Sequence, residues 1–105
     1  MGTYVATFKV SPTMRDGNLH RERAGGGMAW PEDIRPKIQA HLDYMKGLKA
    51  EGKVLLGGPM AAFDWALVVY KADSLDEAVT LAESDPGYRS GMLTDCKVAP
   101  WHHAV

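Results

Sequence analysis

The sequence has a single cysteine, Cys96, no long apolar run and no block of like charge. One cysteine excludes an intramolecular disulfide and is typical of a reducing cytoplasm. The formal net charge of −1 gives no reason to expect nucleic acid or an anionic membrane as partner. No stretch approaches the ~20 apolar residues that span a bilayer, and no basic segment followed by an apolar run indicates a signal peptide. We therefore expect a cytoplasmic protein whose 105 residues form one domain.

The order of predicted elements is strand, helix, strand, strand, helix, strand. The strands are predicted over 4–10, 53–56, 65–70 and 95–101, and the helices over 32–51 and 74–84. Gly52 is a helix stop, and Ser74 with Glu77 forms a capping box. This order predicts an α+β domain with the ferredoxin-like split β-α-β fold (βαββαβ), in which both helices cover one face of a four-stranded antiparallel sheet.

Residues 11–33 are predicted to be a long loop because they contain Pro12, Asp16-Gly17-Asn18, Gly25-Gly26-Gly27 and Pro31. Loops of this length in a compact domain are usually functional lids or disordered segments.

The second face of the sheet has nothing to cover it in this fold. Trp65, Leu67 and Val69 point one way and Ala66, Val68 and Tyr70 the other, so both faces of this strand are apolar. A large apolar face predicts a partner, most simply a homodimer packed through its sheet faces.

His41 is the most informative single residue. It lies on the apolar face of a helix that repeats at Ile34, Ile38, Leu42, Met45 and Leu48. Burying an imidazole without a partner costs roughly 1–3 kcal/mol, so His41 needs a hydrogen-bond partner. The residues alone leave two interpretations open, a satisfied core histidine or a functional one. Topology allows Asp85, at the end of the second helix, to face it, although Asp-Pro is also a common helix stop.

Several ordered landmarks of the sequence resemble the YCII-related family. In the first half they are Arg35-Pro36, His41-Leu42-Asp43-Tyr44-Met45, Gly52-Lys53-Val54-Leu55 and Gly57-Gly58-Pro59. In the second half they are Ser74-Leu75-Asp76-Glu77-Ala78, Asp85-Pro86, Gly91 and Val98-Ala99-Pro100-Trp101. The resemblance covers about residues 32–101 and implies a dimeric α/β barrel, in which two ferredoxin-like subunits pack their sheets together.

The active site proposed for that family is a histidine–aspartate pair, which corresponds to His41 and Asp85. The resemblance implies a cofactor-independent lyase or isomerase, such as a dehydrochlorinase, a dehydratase or a muconolactone-isomerase-like enzyme. His41 would take or give a proton on a small cyclic or aromatic substrate, and Asp85 would orient it. Two alternatives stay open: a cofactor-free monooxygenase of polyphenolic substrates, or a non-catalytic ligand-binding or regulatory module.

Five further residues are candidates for substrate binding. Tyr44 and Tyr88 could donate a hydrogen bond to developing negative charge. Trp30 is either a pocket wall or an anchor for the long loop. Arg35 lies six positions before His41, and His20 belongs to the loop.

The long loop also carries three arginines. Together with His20 they could bind a carboxylate or a phenolate, or form a solvated charge cluster; they are Arg15, Arg21 and Arg23. We expect no metal site, because the adjacent His102 and His103 lack acidic or cysteine partners. Cys96 is interpreted as a packing residue of the last strand.

Overall fold

The structure, a computed structural model, describes residues 1–23, 25 and 30–102, with the side chain of Arg23 left out. Its elements are β1 (Gly2–Val10), α1 (Pro12–Arg23), α2 (Arg35–Ala50), β2 (Val54–Pro59), β3 (Trp65–Ala72), α3 (Leu75–Glu83), α4 (Pro86–Arg89) and β4 (Leu93–Pro100). The four strands form one sheet in the order β2-β3-β1-β4, and every neighbouring pair is antiparallel. The predicted ferredoxin-like βαββαβ fold is confirmed, with α2 and α3 as the two crossover helices.

The two faces of the sheet differ in burial. On β1, Ala6, Phe8 and Val10 are buried in the core beneath the helices. Their neighbours on β3 include Val68, paired with Ala6. The other face carries the odd-numbered side chains of β1 and β3, where Val5 pairs with Val69. The alternation predicted for 65–70 is present. Apolar side chains on the second face include Val5, Leu67 and the buried Val69, and Thr7 and Lys71 lie among them.

The prediction of a loop over 11–33 is wrong for residues 12–23, which form α1. Ser11 and Pro12 are the reason: the Met14 N–H donates to Ser11 Oγ at 3.2 Å, and proline is favoured in the first helical turn. Gly17 permits a close approach inside this helix, because a Cβ there would collide with the Ile34 side chain. Gly17, which the sequence pattern assigned to a loop, is therefore a packing residue. Of the predicted Gly25-Gly26-Gly27 run, Gly26 and Gly27 lie outside the described residues.

The ends of α2 and α3 follow their sequence signals. Gly52 has a φ of +75°, its N–H donates to Lys49 O, and the N–H of Lys53 donates to Leu48 O at 2.9 Å. These two bonds form the Schellman motif that ends α2. Ser74 caps α3 by accepting from the Glu77 N–H at 3.1 Å, as predicted. Within the described part of the chain, no helix is both long and apolar enough to cross a bilayer.

Candidate functional site

His41 lies in the middle of α2, on the face that packs towards the sheet. Ile38 and Leu48 on that face are buried and Leu42 and Met45 are half-buried, so the predicted stripe is the core-facing side of the helix. The His41 side chain is 15% exposed, which leaves one edge of the imidazole open.

Asp85 is the residue between α3 and α4, and its backbone conformation follows from Pro86. A residue before proline avoids the helical region, and Asp85 is extended, with φ −61° and ψ 125°. In that conformation its carboxylate turns back over α4 and accepts the N–H of Gly87 at 2.8 Å. Gly87 also leaves room for the site, since a Cβ there would lie 3.0 Å from His41 Nδ1.

The two side chains meet directly. His41 Nδ1 lies 2.7 Å from Asp85 Oδ1 and 2.9 Å from Oδ2, and the Asp85 side chain is fully buried. Because an ionised carboxylate only accepts hydrogen bonds, the contact places the imidazole proton on Nδ1. In the neutral form of this ring, Nε2 carries the lone pair. This is the arrangement of a general base held in one tautomer by a buried carboxylate. The contact that we expected from the topology is present, and its catalytic role stays a prediction.

A cavity of about 350 Å³ opens beside His41. It lies between α1, α2 and the sheet, and Met14, Ile38, Leu42 and Phe63 are among its apolar walls. Gly57 and Gly58 of β2 also line it, so the Gly-Gly-Pro landmark forms part of its wall. Its volume is within the range of small-molecule sites. A base at the edge of a mostly apolar cavity is suited to proton transfer away from bulk water.

A family profile matches most of this sequence. The profile of the YCII-related domain matches residues 15–102. The chain belongs to the YCII-related family. A search of curated proteins found no significant sequence match.

Two solved structures show the same fold as this YCII-related chain. The first is the 5-chloro-2-hydroxyhydroquinone dehydrochlorinase TftG from Burkholderia phenoliruptrix AC1100, in complex with 2,5-dihydroxybenzoquinone. It is 22% identical with a TM-score of 0.61, over 97% of this chain and 95% of that one. The second is a Deinococcus radiodurans protein described as an antibiotic biosynthesis monooxygenase, 13% identical with a TM-score of 0.53, over 100% and 94% of the two chains.

Of the five residues predicted to bind substrate in this YCII-related chain, Trp30 lines the cavity. Arg35 instead pairs with Glu32 at 2.8 Å and donates to Trp30 O at 3.3 Å, so it supports the backbone at Trp30. His20 is exposed on α1 and is not among the residues that line the cavity.

The two tyrosines point elsewhere. The Tyr44 hydroxyl donates to Leu81 O at 2.8 Å and so joins α2 to α3. Burial, followed by the charges of Asp85 and Glu51, raises the pKa of Tyr44 above its ordinary value. The ring of Tyr88 packs against Phe8 and lines a separate, open depression of about 600 Å³. Neither tyrosine lines the cavity beside His41.

Three residues near the site were not singled out by the sequence. Asn18 lines the cavity, but it was predicted to belong to the long loop. Gly87 was interpreted as part of a helix end, and its closeness to the His41 ring was not predicted. Tyr70 is fully buried in β3, and within the described residues its hydroxyl has no hydrogen-bond partner. Burial and then the charge of Asp85 raise the pKa of Tyr70 well above its ordinary value.

Cys96 and His102 are not among the described residues that line this cavity. Burial raises the pKa of the half-buried Cys96 thiol to about 11, so it is protonated at neutral pH. His102 is exposed, and His103 lies outside the described residues. Among residues 1–23, 25 and 30–102, no three His, Cys, Asp or Glu side chains form a cluster that could hold a metal ion.

Proposed function

We propose that this YCII-related protein is a cofactor-independent lyase or isomerase in which His41 moves a proton on a small cyclic or aromatic substrate. The observation that carries the proposal is the contact of 2.7 Å between His41 Nδ1 and the buried Asp85 carboxylate, at the wall of a cavity. Asp85 holds the ring in the tautomer whose Nε2 accepts a proton.

The chemistry requires a single base. In an elimination, Nε2 takes a proton from a carbon or hydroxyl of the substrate, the released electron pair forms the new double bond, and the leaving group departs with its own bonding pair. In an isomerisation, the same proton returns to a different carbon. The imidazolium formed in either case is stabilised by the Asp85 carboxylate.

The fold neighbour TftG gives a substrate class to test. Its named reaction is the dehydrochlorination of 5-chloro-2-hydroxyhydroquinone, and its structure holds 2,5-dihydroxybenzoquinone. A cavity of about 350 Å³ is large enough for a substituted six-membered ring. We therefore propose hydroxylated or quinonoid rings as the first substrates to try.

The test measures proton transfer in two ways. Chloride release from 5-chloro-2-hydroxyhydroquinone reports elimination, and deuterium uptake from D₂O into the ring C–H positions of 2,5-dihydroxybenzoquinone reports proton exchange without a leaving group. We expect His41→Gln to lower both rates by 10²-fold or more, because positioned general bases contribute about 10²–10⁴-fold. His102→Gln is the matched control, since this histidine is exposed and remote from the cavity.

Four outcomes would contradict the proposal. His41→Gln could retain the wild-type rates, or the wild-type protein could show neither reaction above the rate of His41→Gln. Oxygen uptake with a polyphenol that exceeds chloride release would instead support a monooxygenase. Binding of the quinone without either reaction would support a ligand-binding module.

We also propose that the protein is a homodimer through the open sheet face. Leu56 and Trp65 on this side are 58% and 40% exposed, and Val5 and Leu67 of the same face are half-buried. Exposed apolar side chains on one face of a sheet favour an interface. Sedimentation at low micromolar concentration should give twice the chain mass, and Trp65→Glu should shift the protein towards the monomer. A monomeric wild-type mass would refute this part of the proposal.

A further inference from the structure

Besides His41 and the indole of Trp30, the described residues that line the cavity include two with polar side chains, both on α1. They are Asn18 and Arg21, three residues apart and therefore on one helix face, and Met14 of the same face also lines the cavity. The other described lining residues are apolar or glycine. The sequence offered three arginines as candidates to bind an anion, at positions 15, 21 and 23. Among the described residues that line the cavity, Arg21 is the one that belongs to this set.

Trp30 is held between these two side chains. The guanidinium carbon of Arg21 lies 4.5 Å from the centroid of the Trp30 ring, and the Trp30 Nε1–H donates to Asn18 Oδ1 at 3.2 Å. Stacking uses the face of the guanidinium, whereas its N–H groups lie in its plane. Because an indole N–H only donates, Asn18 Oδ1 is the acceptor, and its amide NH₂ is the group that remains for other partners.

Arg21 and Asn18 give this side of the cavity hydrogen-bond donors and a positive charge. No carboxylate is found among the described residues that line the cavity, and Asp85 lies behind His41. A guanidinium and an amide in an apolar cavity bind an anionic oxygen through charge-assisted hydrogen bonds. Such bonds are stronger where water is excluded.

We propose that Arg21 and Asn18 form an anion subsite, and that the substrate is a ring bearing an ionised oxygen, either a phenolate-type hydroxyl or a carboxylate. This inference rests on the proposed role of His41, because Arg21 and Asn18 would bind the same substrate from which His41 takes a proton. Removing a proton from a conjugated ring moves negative charge onto its oxygen atoms. Arg21 and Asn18 stabilise that charge while His41 holds the proton.

The test measures binding with two quinone probes that share the same ring and the same 2,5-substitution pattern but differ in charge. The anionic probe is 2,5-dihydroxybenzoquinone at neutral pH, and the neutral probe is 2,5-dimethoxy-1,4-benzoquinone. In calorimetric titrations we expect Arg21→Gln to weaken binding of the anionic probe by about 10- to 100-fold, as expected for loss of a charge-assisted hydrogen bond. Binding of the neutral probe should change less than threefold. Arg15→Gln, on the exposed side of α1, should leave binding of both probes unchanged.

A second variant keeps the test decisive if Arg21→Gln does not fold. Asn18→Asp retains the acceptor for Trp30 but adds negative charge to the cavity, so it should also weaken binding of the anionic probe. Equal weakening of both probes by these variants would overturn the subsite, because a general packing defect would then explain the loss. Benzoate, titrated in addition, is the probe for a carboxylate. A wild-type protein that binds neither 2,5-dihydroxybenzoquinone nor benzoate would also overturn the subsite.

The two proposals fail in distinguishable ways. If His41→Gln abolishes turnover while Arg21→Gln binds the anionic quinone as tightly as the wild type, the base stands and the anion subsite is wrong. If Arg21→Gln weakens binding of the anionic quinone selectively while His41→Gln keeps full turnover, the subsite stands and the base is wrong.

Discussion

Replacing Asp85 by Asn should reverse the tautomer of His41. The wild-type carboxylate accepts from His41 Nδ1 at 2.7 Å and from the Gly87 N–H at 2.8 Å. In the variant, an amide oxygen at the Oδ1 position keeps the bond from Gly87, and the amide NH₂ takes the Oδ2 position, 2.9 Å from His41 Nδ1. A protonated Nδ1 would there face the amide hydrogens, so we expect Nδ1 to accept from the NH₂ and the ring proton to move to Nε2.

The magnitude follows from the bonds that change. A charge-assisted bond worth about 1.5–3 kcal/mol is replaced by a neutral one worth about 0.5–1.5 kcal/mol. We therefore expect Asp85→Asn to lower the free energy of unfolding by about 1–2 kcal/mol and leave the fold intact. Turnover should fall much further, on the order of 10³- to 10⁴-fold, because the neutral ring no longer has a lone pair on Nε2.

The assay does not depend on a substrate. Long-range ¹H–¹⁵N spectra of histidine-labelled protein at alkaline pH, where an imidazole is neutral, distinguish a protonated ring nitrogen from an unprotonated one. His41→Gln assigns the signals. Asp43→Asn is the matched control, because Asp43 is an exposed carboxylate on the same helix that bonds to Gln39. A wild-type ring already protonated on Nε2, or an Asp85→Asn spectrum equal to that of the wild type, would refute the reasoning.

Three further predictions concern stability. Gly47→Ala should raise the free energy of unfolding by about 0.5–1 kcal/mol, since a Cβ meets nothing there, whereas Gly52→Ala should lower it because of its φ of +75°; urea denaturation checks both signs. Tyr70→Phe should leave the free energy of unfolding unchanged or raise it by about 1 kcal/mol, and a loss of that size would mean that the hydroxyl has a partner. Burial raises the pKa values of Tyr44, Tyr70 and Cys96, so the unfolded chain releases these protons first. The free energy of unfolding should therefore be insensitive to these groups below the ordinary thiol pKa of 9.0 and fall as pH rises towards 11, and a constant urea midpoint over that range would contradict the assignment.

The sequence was sufficient to predict the features that depend on periodicity and topology, which are the core-facing stripe of α2 and the ends of α2 and α3. The stripe around His41, the Asp-Pro stop at Asp85 and the side-by-side helices of the fold allowed a contact across 44 positions, and the resemblance to the YCII-related family implied the pair. Gly52 and Ser74 marked helix ends because their signals depend on local backbone geometry alone.

The sequence was insufficient where one residue type has two uses. Pro12 and Gly17 suggested a loop, but proline also begins helices, and Gly17 is required by the nearby Ile34 side chain. The directions of Tyr44 and Tyr88 depend on which neighbouring element each ring contacts. Such contacts are set by tertiary packing, which a sequence pattern does not encode.

The 44-residue separation between His41 and Asp85 ties the site to the completeness of the fold. His41 belongs to the first β-α-β half of the chain and Asp85 to the second, so neither half contains the pair alone. Forming their contact requires closing a large chain loop, and its entropy cost must be compensated by the strands and helices in between. The pair therefore exists only when both halves of the domain are folded together. The position of the proton on the His41 ring consequently reports whether the two halves are in contact.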